Sequence, residues 1–127
     1  MHWEKIRMGY QILVVDDNDI NLLLIEKILQ MEGYEVTLAN SGQEAMTHFG
    51  NHFDMAILDV MMPDMDGFEL CRSLRKSDTN ANIPILLLTA LSGENERKLA
   101  KTAGANAILS KPFDMENFKK RVAEFLA

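Results

Sequence analysis

Five apolar runs punctuate the chain, each followed by a segment with helical spacing. Gln11 to Val15 is rich in β-formers and ends on Asp16 and Asp17. Ile20 to Met31 carries Ile20, Leu23, Leu24, Lys27, Ile28 and Met31 at helical spacing, with acids upstream for its amino end and Gly33 as its stop. Tyr34 to Leu38 alternates as a second strand. Ser41-Gly42-Gln43-Glu44 matches a capping box, and Ala45, Met46 and Phe49 predict the apolar stripe of a short helix. Met55 to Leu58 is a third, buried strand ending on Asp59, before Pro63 and the turn signal Asp66-Gly67. Gly67 to Lys76 predicts a helix with Phe68, Cys71 and Leu74 inward. Ser77 to Asn82 is a polar loop. Ile85 to Leu88 has no polar residue, so it should be buried on both faces, and Thr89 ends it. Ser92 can cap a fourth helix, whose apolar residues Leu99, Ala100 and Ala103 are modest, stopped by Gly104. Ala107 to Leu109 is a fifth strand ending at Lys111-Pro112. Met115 to Leu126 is a last helix with Phe118, Val122, Phe125 and Leu126 inward.

Strands joined by helical crossovers run parallel, and such crossovers are right-handed. The expected fold class is therefore α/β, a doubly wound five-stranded parallel sheet with five helices in three layers. The strands ending at Asp59 and Thr89 are the most continuously apolar and should lie near the middle. Met1 to Tyr10 has no period and reads as an N-terminal leader or linker, which leaves 11–127 for one domain.

Composition narrows the function. At 127 residues the chain suits one domain with a real core. A net charge of -6 argues against direct nucleic-acid binding, which needs a basic face. The longest apolar run, Ile83 to Leu91, is far short of the roughly 20 residues of a membrane helix, so no membrane insertion is expected. The start has no secretory h-region. The single Cys71 cannot form an internal disulfide, which fits a reducing cytoplasm; a packing role is expected for it. Nine methionines read as scattered core filling. His2, His48 and His52 stand at no strand end and read as surface residues.

A parallel sheet gathers its strand C-termini at one edge, where open α/β sheets bind ligands. Four of the five predicted strands end there on capable groups: Asp16 and Asp17, Asp59, Thr89 and Lys111. Three carboxylates in one place imply a divalent cation, and oxygen donors suit Mg²⁺ or Mn²⁺. No His or Cys ligand points to zinc, and no Gly-rich loop points to a nucleotide. A cation, a hydroxyl and an ammonium around one carboxylate suit phosphoryl transfer. Asp59 would be the nucleophile, Lys111 would neutralise phosphoryl oxygens, Thr89 would donate to one, and Ala90 would leave an entry path.

With ILVVDD (Ile12 to Asp17), ILDVMMPDMDG (Ile57 to Gly67), LLLTA (Leu86 to Ala90) and SKPF (Ser110 to Phe113), the sequence resembles a receiver domain of two-component signalling. The resemblance covers about Gln11 to Leu126. It implies a flavodoxin-like strand order 2-1-3-4-5, an order the general rule for such sheets already illustrates with a chemotaxis receiver. It implies Asp59 as phosphoacceptor and Asp17 as a direct metal ligand. Asp16 would reach the metal through water, and the Met61 backbone carbonyl would be a further ligand. Thr89 and Lys111 take the switch positions, and Lys111-Pro112 is expected to be cis.

The implied partner is a histidine kinase or histidine phosphotransfer protein, and Asn18 to Asn21 resembles receivers of hybrid kinases. The implied output is the face of the fourth helix, fifth strand and fifth helix, through which a homodimer could also form. Such a domain is not an enzyme beyond its own phosphorylation and dephosphorylation. One position departs from a common pattern. Ile108 stands where many receivers carry an aromatic, so no ring is available to swing there. The alternatives are a degenerate receiver used only for docking, an aspartate-nucleophile phosphatase, and a flavin or nucleotide carrier. Met61 disfavours the phosphatase, because a second acid belongs at that place. The acids after the first strand disfavour the carrier.

Overall fold

The computed structural model describes residues 9–91 and 93–126. The leader before Gly9, His2 and the Ser92 cap lie outside the described residues. Ten elements follow in strict alternation: β1 (Gln11–Val15), α1 (Asp19–Met31), β2 (Glu35–Ala39), α2 (Gly42–Met46), β3 (Met55–Asp59), α3 (Gly67–Arg75), β4 (Ile85–Thr89), α4 (Glu94–Ala103), β5 (Ala107–Ser110) and α5 (Met115–Leu126). All neighbouring strands pair parallel, in the order β2-β1-β3-β4-β5. The expected doubly wound α/β fold is the observed one, with β3 at the centre.

Side-chain alternation along each strand divides the core in two. Ile12, Val14, Met55, Ile57, Leu86 and Leu88 face α1 and α5, whose Leu22, Ile25, Leu29, Phe118 and Val122 close one layer. Leu13, Val15, Ala56, Leu58, Ile85 and Leu87 face the other way, against Leu70, Cys71 and Leu74 of α3 and Ala100 and Ala103 of α4. Every residue of β3 and β4 is buried, as expected of parallel strands covered on both faces. The Cys71 thiol donates to Ala103 O at 3.3 Å, and burial raises its pKa, which is the predicted packing role. Lys111-Pro112 is cis.

The buried helix faces differ in part from the apolar spacing. The buried residues of α1 are Leu22, Ile25, Ile28 and Leu29. Ile20, Leu23 and Leu24 are instead 77%, 59% and 50% exposed, and Met31 76%. With Leu22 to Ile25 all apolar, periodicity cannot choose a face, and the sheet chooses it. In α4, Leu99 points outward and only Ala100 and Ala103 are buried. Met46 of α2 is likewise exposed, while Ala45 is buried and Phe49 packs against the core.

Polar side chains fix the loops. Asn18 caps α1 by accepting from Asn21 N–H. Ser41 caps α2, and Glu44 returns a bond to Asn40 N–H, one residue before the expected partner. Buried Asn80 accepts from Phe53 N–H and donates to Phe49 O and Asn51 O.

Candidate functional site

Register explains which groups meet. Val15 lies opposite Leu58, so Asp16 and Asp59 leave adjacent strands at one level. Both share the side-chain parity of the layer that holds Val14 and Ile57. Lys111 continues the parity of Ala107 and Leu109 and therefore comes over the same side. Its backbone N–H extends the ladder to Thr89 O at 2.7 Å. Thr89 has the opposite parity, that of Ile85 and Leu87, and so belongs to the side facing α3 and α4. The Thr89 hydroxyl accepts from Leu91 N–H at 3.1 Å. Four of the predicted side chains thus converge, and Thr89 stands at the adjoining strand end, engaged with its own loop.

Lys111 Nζ donates to Asp59 Oδ1 at 2.8 Å and to Asp16 Oδ2 at 3.2 Å. Asp16 Oδ1 accepts from Asn18 N–H at 2.9 Å, so this acid also fixes the turn into α1. Asp16 and Asp59 are buried, and Asp17 is exposed. Their carboxylate oxygens lie within 4.8 Å of one another. Burial raises the Asp59 pKa; the Lys111 hydrogen bond opposes this, while the Asp16 and Asp17 charges add to it. Burial would lower the Lys111 pKa, but its bond to Asp59 and the nearby acids outweigh that and raise it. Three carboxylates against one ammonium leave excess negative charge in a half-enclosed place.

An all-oxygen donor set, with two buried acids and one facing water, fits a hard divalent cation that keeps part of its hydration. A pocket of about 220 Å³ opens over the acids, lined also by Asn21, Met61 and Ala90. Asn21 was legible in sequence only as part of a capping stretch, and its place in this pocket follows from the first turn of α1.

The loop after Asp59 is held by close approach. Asp66 caps α3 by accepting from Glu69 N–H at 2.9 Å, and Gly67 N–H donates to Val60 O at 3.0 Å. A Cβ on Gly67 would lie 2.5 Å from Asp59 O and 2.8 Å from Val60 Cα. Both are backbone atoms, so the clash cannot be relieved by a rotamer change. Gly67→Ala is expected to cost about 2 kcal/mol through overpacking, read as a lower urea midpoint at unchanged slope, and to weaken divalent-cation binding by moving Asp59.

Comparison with known proteins agrees with this geometry. The family model described as the response regulator receiver domain matches residues 12–123. The response regulator PleD of Caulobacter vibrioides is 44% identical over 108 residues, covering 84% of this chain and 24% of that protein. MprA of a Mycobacterium species is 42% identical over 120 residues, covering 94% of this chain and 51% of that protein. The chain thus spans about a quarter to a half of the length of these relatives. Among solved structures, the Vibrio cholerae chemotaxis protein CheY4 superposes with a TM-score of 0.88 at 34% identity, covering 92% of this chain and 98% of that one. The receiver domain of the Pseudomonas aeruginosa sensor histidine kinase PA1611, with a magnesium ion in its active-site cleft, superposes with a TM-score of 0.84 at 31% identity, covering 93% and 98%. With strand order, acid cluster and lysine all as that family requires, the chain belongs to the response regulator receiver domains.

Proposed function

We propose that this receiver accepts a phosphoryl group on Asp59 from a phosphohistidine of a histidine kinase or histidine phosphotransfer protein, and that the acyl phosphate biases the α4-β5-α5 face. The observation that carries the reading is the Lys111 bridge to two buried acids. It holds Asp59 through one oxygen, Oδ1, which leaves Oδ2 to attack phosphorus. The new bond is Asp59 O–P; the P–N bond of the donor breaks, and its electron pair returns to the imidazole, which takes a proton. Mg²⁺, or Mn²⁺, held by Asp16, Asp17, Asp59 and the Met61 carbonyl, would supply positive charge to the phosphoryl oxygens. Lys111 supplies the protein's own neutralisation and is placed to follow the transferred group. The domain catalyses only its own phosphorylation and dephosphorylation.

Thr89 supplies the coupling. Its hydroxyl, which accepts from Leu91 N–H, would turn to donate its proton to a phosphoryl oxygen, which pulls the loop ahead of α4. Ile108, on the same side of the sheet and packed against that layer, offers no ring to follow. The loop and helix therefore carry the change. Donor docking is supported by an apolar groove of about 390 Å³ beside the acids, lined by Leu24, Ile25, Ala90, Pro112 and Phe113. The outward Leu24 of α1 forms part of its wall.

The test is intact mass after incubation with Mg²⁺ and acetyl phosphate. One added phosphoryl group, labile to alkali and absent when a chelator is included, is the expected result. Unchanged mass with Mg²⁺ present would favour the docking-only alternative.

A further inference from the structure

At the sheet edge remote from the acids, Arg75 makes four hydrogen bonds to three separate segments. Its Nε donates to Gly104 O at 2.9 Å, its Nη1 to Ala81 O at 3.0 Å and Ile83 O at 2.6 Å, and its Nη2 to Asn106 Oδ1 at 2.8 Å. Asn106 Oδ1 also accepts from Ile85 N–H at 2.8 Å, and Asn106 N–H donates to Ile85 O. Gly104, at the carboxyl end of α4, has φ 95°. A Cβ there would come within 3.1 Å of Arg75 Cγ. The guanidinium thus joins the end of α3, the entry to β4, the end of α4 and the entry to β5.

The other end of α4 is held differently. Ala100 and Ala103 are the buried residues of α4, and none lies among residues 94–99. Ala90, Leu91 and Gly93, leading into the helix, are all exposed. Among the described residues, the side-chain contacts there are Thr89 Oγ1 accepting from Leu91 N–H, Glu96 accepting from Gly93 N–H, and an exposed Lys98–Glu94 pair at 3.8 Å. Such a pair contributes little. Helices ordinarily fray at both ends, so fastening at one end alone must come from something outside the helix.

We propose that Arg75 is the fastener of α4: it fixes the carboxyl end of that helix to the sheet and leaves its amino-terminal turns free to open. A displacement begun at Thr89 then becomes a swing of residues 94–99 about a fixed end. The fastening does not depend on Asp59 being phosphorylated, so it is tested in the unmodified protein.

The experiment is residue-resolved amide exchange by NMR, referenced to Ile57, whose buried β3 amide reports global opening. In wild type, Ala105, whose N–H donates to Ala100 O at 2.9 Å, should exchange at least about tenfold more slowly than Lys98 and Leu99. Arg75→Lys keeps the charge and loses the planar fork. It should speed Ala105 by about tenfold relative to Ile57 while leaving Lys98 and Leu99 unchanged. Asn106→Ala, which removes one partner, should give a smaller loss at the same site. Uniform exchange along wild-type α4 would overturn the proposal. So would variants in which Ala105 and Ile57 change in equal proportion, since that is the mark of general destabilisation.

Discussion

Asp59→Asn is expected to abolish phosphoryl incorporation, yet to melt above wild type at neutral pH when no divalent cation is present. The amide keeps the shape and can still accept from Lys111, but it is no nucleophile toward phosphorus. The stability gain follows from the electrostatics. Asp59 is buried beside Asp16 and Asp17, and burial holds its pKa above the reference value of 3.8. Between the unfolded and folded pKa values the folded state binds more protons, so stability falls as pH rises through that window. The wild-type carboxylate therefore carries a penalty at neutral pH that the amide lacks. The Tm difference should close as pH falls below 3.8, where both states hold a protonated Asp59. Mg²⁺ should reverse the order, because a cation bound to the folded acids stabilises wild type by mass action. Intact mass and thermal melts with and without Mg²⁺ read both halves. Incorporation persisting in the Asn protein would move the acceptor elsewhere. A lower neutral-pH Tm without Mg²⁺ would mean that the Lys111 bond outweighs burial.

Lys111→Met is expected to leave phosphorylation slow and the domain weakened. The side chain is 22% exposed, but its partners Asp16 and Asp59 are 1% and 5% exposed. Removing one partner of a buried ion pair costs about 3–5 kcal/mol. Partial exposure of the ammonium reduces this to roughly 2–3 kcal/mol. Met keeps the apolar stem, so the loss reports charge and hydrogen bonds rather than a cavity. The raised Lys111 pKa gives the sign: its stabilising contribution is present below the reference value of 10.5 and is lost as pH rises through the folded value. The Tm gap between wild type and variant should therefore be wide at neutral pH and narrow in strong alkali. Mg²⁺ should recover part of it, because a second cation source relieves the two acids. Equal melting of the two proteins would remove the bridge as a stabilising element.

How much of this was legible before folding depends on the kind of signal. The strands were legible because apolar runs end on polar groups, and the acid cluster followed from parallel topology alone. The face of α1 was not, since Leu22, Leu23, Leu24 and Ile25 fill every direction of one turn. Ala100 and Ala103 outrank Leu99 in burial because the face of α4 turned to the α3 layer passes through the two alanines. The direction of Thr89 was encoded, since it shares the parity of Ile85 and Leu87. Using that parity needed the register against β3 and β5, which pattern alone does not give. Asn80 falls in a stretch read only as a polar loop, and nothing in the helix pattern singles out Arg75. Their partners are mostly backbone groups, 6 to 31 positions away, and a carbonyl leaves no mark in a sequence.

The bond from Lys111 to Asp16 links residues 95 positions apart. A nascent chain that has reached β4 has all three acids but no ammonium among them. Charge balance at the sheet edge arrives only with the last strand. The charge balance of the site is then a property of the finished domain, because its one ammonium is made after all three of the acids it serves.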